Sequence, residues 1–193
     1  MNQISRREML GALLMLPLAS ASAAAPRGAA TSGRETLVAY FSRSGNTRVI
    51  AGQIHRARAS DLFEIVPATP YPADYEQTVE QARCERDSGY EPPLKSSVAD
   101  IASYRTIFLG FPIWGETAPP VIRSFLARHD LSGKTLIPFI THGGYGLGSS
   151  LSVLAQHAPG AHLIEGLTME ADQERRTLST VTQWLGKVPA PAI

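Results

Sequence analysis

Six consecutive residues, Ser42, Arg43, Ser44, Gly45, Asn46 and Thr47, put three hydroxyls, an amide and a glycine into one short polar loop. A helical pattern starts directly after it, at Val49, Ile50, Gln53 and Ile54. The first N–H groups of a helix have no partner inside it, and the helix dipole places partial positive charge at that end. Phosphate binds there readily, with Ser42, Ser44 and Thr47 as further donors. Two common phosphate loops are excluded. The GxxxxGK[ST] pattern needs a lysine, and only Gly45 of a GxGxxG fingerprint is present. What remains suits a single terminal phosphate held by hydroxyls and amides without a metal. The same residues are ordinary turn and N-cap formers, so the loop by itself leaves both readings open.

The elements that must position this loop follow from the hydrophobic pattern. Leu37 to Phe41 is an unbroken apolar run ending at the polar loop, as expected of a strand buried on both faces. A second strand is expected over Asp61–Val66, a third over Thr106–Phe111, a fourth over Thr135–Ile140 and a short fifth over Ala161–Ile164. Between them, helices are expected from Asp74 as N-cap to about Asp87, from Pro119-Pro120 to about His129, and from about Ser149 to His157. In the second helix Tyr75, Val79 and Ala82 stand near helical spacing. A closing helix is expected over Glu170–Gly186. Strands alternating with helices predict right-handed crossovers and a parallel sheet covered on both faces. Ligands of such sheets sit beyond the carboxyl ends of the strands.

Two further loops leave those ends. Pro112-Ile113-Trp114-Gly115-Glu116-Thr117 follows the third strand, and Thr141-His142-Gly143-Gly144-Tyr145-Gly146-Leu147-Gly148 follows the fourth. Four glycines let the second of these approach a ligand closely. His142-Gly143-Gly144 is not read as a hydrolase oxyanion loop, because no GxSxG elbow is present. His55, His129, His142, His157 and His162 are scattered, and the single cysteine, Cys84, has no partner at zinc spacing, so no metal site is expected.

The Ser42–Thr47 loop after a hydrophobic strand resembles the flavodoxin phosphate loop, [ST]-x-[ST]-G-N-T. Gly110-Phe111-Pro112-Ile113-Trp114 and Thr141-His142-Gly143-Gly144 resemble the same family at corresponding places, and the likeness runs from about Thr36 to Trp184. The resemblance implies an α/β, flavodoxin-like, doubly wound five-stranded parallel sheet of order 2-1-3-4-5 in three layers. In that order the three loops converge. It also implies FMN as cofactor. Ser42, Arg43, Ser44, Gly45, Asn46 and Thr47 would hold its phosphate. Pro112, Ile113, Trp114 and Gly115 would border one edge of the ring, with Thr141, His142, Gly143, Gly144 and Tyr145 along the other. Members of the family often carry two consecutive tryptophans where this chain has Trp114-Gly115. His142 is expected to orient its loop rather than to act as a base.

The N-terminus reads as an export signal. Ser5-Arg6-Arg7-Glu8-Met9-Leu10 resembles a twin-arginine motif, Met9–Leu18 is an apolar segment too short to span a membrane, and Ala21-Ser22-Ala23 is a small-x-small cleavage site. The expected organisation is a cleaved signal over 1–23, a leader over 24–35, a single domain over 36–187 and a tail over 188–193. Of 18 basic and 17 acidic residues the signal removes Arg6, Arg7 and Glu8, leaving the mature chain near neutral. No basic stripe points to nucleic acid. A lone cysteine and no internal disulfide fit export in the folded state to the periplasm through the twin-arginine machinery. Three functions compete: an electron carrier docking a redox partner protein, an FMN-dependent NAD(P)H or quinone-type oxidoreductase acting on a small acceptor, and a flavin-free binding module. Replacing both Arg6 and Arg7 by lysine should leave the protein in the cytoplasm with its signal attached, as cell fractionation would show. Normal periplasmic accumulation of that variant would refute the export reading.

Overall fold

The computed structural model describes residues 35–170 and 174–189; the expected signal, most of the leader and the end of the tail lie outside the described residues. The chain runs β1 (Thr36–Tyr40), α1 (Asn46–Arg58), β2 (Asp61–Glu64), α2 (Tyr75–Asp87), a 3-10 turn at Ile101–Ser103, β3 (Thr106–Pro112), α3 (Pro120–Arg128), β4 (Thr135–His142), α4 (Ser150–His157), β5 (His162–Leu163), β6 (Leu167–Glu170) and α5 (Glu174–Leu185). All strand pairings are parallel, in the order β2-β1-β3-β4-β5, with β6 also on β4. This is the doubly wound, three-layer α/β fold expected.

Strand alternation divides the core. Leu37, Ala39, Ile107, Leu109, Phe111, Leu136 and Ile140 face one side with Val121, Ile122 and Phe125 of α3 and Leu154 of α4. Val38, Tyr40, Phe108, Ile137 and Phe139 face the other with Ile50 and Ile54 of α1 and Val181 of α5. Each fully buried aliphatic or Phe side chain contributes about 1.5–3 kcal/mol, so these two layers hold the sheet. Val188, the first residue of the expected tail, is buried, and Arg58 Nη2 donates to the carbonyls of Leu185 and Val188 at 2.7 and 2.8 Å.

Three expectations need amendment. The short fifth strand lies where expected, at His162–Leu163, but the edge does not end there: β5 pairs with Thr135 and Leu136, and after a break β6, which was not expected, pairs with Phe139–His142. The break lies opposite Pro138. The N–H and C=O of one strand residue point to the same side, and the Pro138 carbonyl faces Gly166, so the missing proline N–H falls on this side of β4. A Cβ on Gly166 would come 1.9 Å from that carbonyl oxygen, so the crossing needs a glycine. The second correction is that β4 continues to His142, which makes Thr141 and His142 strand residues. The third is that Glu170 ends β6 and does not begin the closing helix, which starts at Glu174.

Helix α2 begins as expected, with the Asp74 carboxylate accepting from the Gln77 N–H at 2.9 Å. Only Thr78, Ala82 and Glu85 of it are buried, while Tyr75 and Val79, at helical spacing with Ala82, are 64% and 44% exposed. The loop leading into α2 is pinned to it by Tyr71, whose hydroxyl donates to Glu85 Oε2 at 2.8 Å. Burial first, and then the Glu85 carboxylate, push the Tyr71 phenol far above its ordinary range.

His129 joins α3 to the connection before β3. Its Nε2 accepts the Val98 N–H at 3.0 Å, so Nδ1 carries the proton and donates to the Phe125 carbonyl at 2.8 Å. Burial, reinforced by Arg128, lowers its pKa despite that carbonyl. The unfolded chain therefore takes up the proton first as pH falls. Stability is held in full above the unfolded value of about 6.5 and declines below it. We expect His129→Leu to lose about 1–3 kcal/mol at pH 7.5, because the Val98 N–H is left unpaired. The variant should also lose less stability than the parent between pH 7.5 and 5 in urea denaturation. Parallel pH profiles for the two proteins would show that His129 is not the titrating group.

Candidate functional site

The three loops meet at the carboxyl edge of β1, β3 and β4. Gly45 precedes α1 at φ +99° and, as a glycine, has no side chain of its own to cap the helix. Ser42 Oγ lies behind that end and accepts the N–H of Gly45 at 3.1 Å and of Arg48 at 3.4 Å, the turn-forming role. Ser44 is exposed, and its hydroxyl has no hydrogen-bond partner among the described residues. Thr47 is buried, and its Oγ1 lies 2.9 Å from Thr141 Oγ1, tying the first turn of α1 to the end of β4. Arg43 turns away: its Nη2 donates to the Ala73 carbonyl at 2.9 Å and its guanidinium sits 5.8 Å from the Tyr75 ring centre. Arg48 is held by Glu64 at 2.5 Å.

Pro112 ends β3 opposite Thr141, and the Ile113 N–H donates to the Thr141 carbonyl at 2.8 Å. Trp114 to Thr117 is a two-residue hairpin, closed by the Trp114 N–H on the Thr117 carbonyl at 3.0 Å. Gly115 and Glu116 both have positive φ, +58° and +61°. Two left-handed central residues are the pattern of a type I′ turn, and for Glu116 that backbone is strained. Trp114 is half-buried, meeting Phe41 edge-on at 5.2 Å and Tyr71 edge-on at 4.9 Å. Those contacts fix its ring.

The hairpin is locked to the loop after β4. The Glu116 carbonyl accepts the Ser149 N–H at 2.9 Å, and Ser149 Oγ donates to Thr117 Oγ1 at 2.9 Å. Gly148 packs on the same carbonyl, and a Cβ there would stand 1.8 Å from its oxygen. Earlier in the loop His142 Nδ1 accepts the N–H of Gly144 at 3.0 Å and of Gly146 at 3.4 Å. In the neutral ring the proton therefore sits on Nε2, free to donate. Gly143 and Gly146 have open space where a Cβ would be. Tyr145 stands out from the loop at 84% exposure.

Sequence reasoning did not single out α2 as part of this edge. A cavity of about 500 Å³ lies between the 112–115 turn, the phosphate-type loop and α2, lined on the helix side by Tyr75, Val79, Arg83 and Arg86. The periodic Tyr75-Val79-Ala82 row was its signal, but apolar residues at helical spacing are read first as core.

The chain matches the flavodoxin family over residues 35–188 and belongs to it. It is similar to two structures provisionally described as flavoproteins. That from Bacteroides eggerthii DSM 20697 is 34% identical over 80% of this chain and 97% of its own, with a TM-score of 0.68. That from Bacteroides uniformis ATCC 8492 is 34% identical over 80% and 99%, with a TM-score of 0.71. A flavoprotein from Lactobacillus acidophilus NCFM, solved in complex with FMN, is 26% identical over 75% of this chain and 98% of its own, with a TM-score of 0.62. No curated protein matches the chain.

Because Gly148 touches a backbone oxygen while Gly143 faces open space, the two should respond oppositely to a methyl group. Gly148→Ala is expected to destabilise by more than about 1 kcal/mol, from overpacking and a φ of +50°. Gly143→Ala should stay within about 0.5 kcal/mol of the parent. Chemical denaturation decides the matter: equal effects would mean that the two loops are not interlocked in solution.

Proposed function

We propose that this chain binds FMN at the carboxyl edge of its sheet and transfers electrons in the bacterial cell envelope. The observation that carries the reading is the α1 N-terminus. Among the described residues the N–H groups of Asn46 and Thr47 have no hydrogen-bond partner, and the helix is preceded by a left-handed glycine with open space beside it and fronted by the exposed hydroxyl of Ser44. An anionic group fits this end without a metal; among the described residues no cluster of His, Cys, Asp or Glu could hold one. The FMN complex of the Lactobacillus acidophilus relative supports the choice of ligand.

In this reading the N–H groups of the 42–47 loop and the Ser44 hydroxyl hold the phosphate. Pro112, Ile113, Trp114 and Gly115 border the ring on one side, and Thr141–Tyr145 on the other. Bound flavin would supply the electron chemistry, which no side chain here can perform. The protein's share is positioning. Thr47 and Thr141 keep the phosphate end in register with β4, Phe41 and Tyr71 hold Trp114, and His142 fixes its loop through Nδ1.

Envelope location rests on the N-terminal pattern: the twin-arginine machinery carries folded proteins, and a cofactor held without covalent linkage is best loaded before export. A second reading, an oxidoreductase of a small acceptor, is favoured by the arginine-rimmed cavity beside the 112–115 turn.

The phosphate assignment is tested by comparing FMN with riboflavin. Ser44 makes no hydrogen bond among the described residues, so Ser44→Ala is expected to leave the fold intact. It should weaken FMN by about 1–3 kcal/mol, the worth of a charge-assisted hydrogen bond. Riboflavin binding should change little. Calorimetric titration showing equal losses for both ligands would remove the phosphate from this loop.

A further inference from the structure

The cavity beside α2 shares Arg43, Ser44 and Pro112–Gly115 with the proposed flavin site, but its α2 side, from Tyr75 to Arg86, is not used by the flavin reading. One wall is apolar and partly aromatic: Pro112, Ile113 and Trp114 from the end of β3, facing Tyr75, Val79 and Ala82 on successive turns of α2. Its rim carries the guanidinium groups of Arg43, Arg83 and Arg86, and no carboxylate lines it among the described residues. The three charges are not equivalent. Arg83 is paired with Glu80 at 2.7 Å and with Asp87 at 3.1 Å. Arg86 meets only Asp87, through Nε at 3.1 Å, and its Nη1 lies against Gly115, where a Cβ would come 2.2 Å from it. Arg43 donates to a backbone carbonyl and, among the described residues, has no carboxylate partner. The lining thus combines apolar side chains with arginine charge that carboxylates only partly neutralise.

Tyr75 and Val79 are the exposed apolar residues of a helix that is otherwise polar outside. Exposing them costs free energy that an apolar ligand would recover. Guanidinium groups prefer planar oxyanions, which they can meet with paired donors. A volume of about 500 Å³ is in the range of small-molecule sites.

We propose that this cavity binds a planar aromatic carboxylate of one or two rings, with the ring between Ile113 and the Tyr75-Val79 face and the carboxylate on Arg86 and Arg43. It shares the 112–115 turn with the proposed flavin site, so an aromatic acid there is the small acceptor of the second functional reading. That role rests on the flavin reading; the binding chemistry of the cavity does not.

The probe is 2-naphthoate, with 2-naphthamide as its uncharged counterpart, titrated calorimetrically into the exported chain loaded with FMN. Naphthoate should bind at least tenfold more tightly than the amide. Arg86→Gln should weaken naphthoate about tenfold, and Val79→Glu, which places a carboxylate in the cavity at an exposed position, should abolish its binding. FMN affinity of both variants should stay within twofold of the parent. Equal binding of acid and amide, absence of naphthoate binding, or undiminished binding by the two variants would overturn the proposal. Competition between naphthoate and FMN would overturn it too, since the cavity would then belong to the flavin. A chain that shows the naphthoate pattern but takes up no FMN keeps the cavity and loses only the flavin reading.

Discussion

The carbonyl of Glu116 is the constraint on which the carboxyl edge of this protein depends. It accepts the Ser149 N–H and is packed against Gly148, so the turn after β3 and the loop after β4 are held by one oxygen. That oxygen is aimed correctly only because Gly115 and Glu116 are both left-handed. For Glu116 this backbone costs on the order of 1 kcal/mol or more, and the surrounding contacts must offset it. They do so with the Trp114–Thr117 closure, the Ser149–Thr117 hydroxyl bond and the edge-on packing of Trp114 between Phe41 and Tyr71. The strain therefore sits where two loops must stay a fixed distance apart, as a planar ligand between them would require.

The third loop is joined to the other two by a different device. Thr47 opens α1 and Thr141 ends β4, yet their hydroxyls meet at 2.9 Å in a buried setting. A neutral hydrogen bond of this kind is worth about 0.5–1.5 kcal/mol net, and its loss would strand a buried hydroxyl. So the helix end is indexed to the sheet through a side chain, leaving the N–H groups of Asn46 and Thr47 without a partner among the described residues. Ser42 behaves similarly: it closes the turn from behind, and Ser44 is left as the outward-facing hydroxyl. The hydroxyls of the motif thus divide between holding the loop and facing out of it.

Much of this was legible in the chain. The unbroken run Leu37–Phe41 and the alternation of strands with helices were enough for a parallel sheet, and the three loops after strands one, three and four were enough for a common edge. What escaped was context-dependent. Pro138 breaks the strand beside β4 and not the one that contains it, because the missing N–H faces the edge partner; which side a strand residue faces is set by pairing, not by local pattern. Tyr75, Val79 and Ala82 stand near helical spacing, but spacing cannot say whether a neighbouring element arrives to cover such a row. Here only Ala82 is covered, and the other two line a cavity. His142 was expected to orient its loop, and two backbone N–H groups on Nδ1 give that expectation a geometry.

The forces at this edge sort by range. What positions the loops is short, neutral and partly buried: hydroxyl pairs, backbone bonds and aromatic edges, which salt barely screens. The ion pairs of Arg48 with Glu64 and of Arg83 with Glu80 and Asp87 are on side chains between one-third and two-thirds exposed, and none of them joins one loop of the edge to another. Such pairs are worth about 0–1 kcal/mol each. The shape of the edge should accordingly survive changes of ionic strength that alter what is drawn to it. The chain is close to neutral overall, with a formal net charge of +1, so long-range steering by net charge is weak. Local charge near Arg43 and Arg86 acts over no more than about a Debye length, roughly 8 Å at physiological salt. Discrimination at this surface then falls to contacts made after encounter. That arrangement suits a small ligand entering a cavity better than a large, oppositely charged protein guided from a distance.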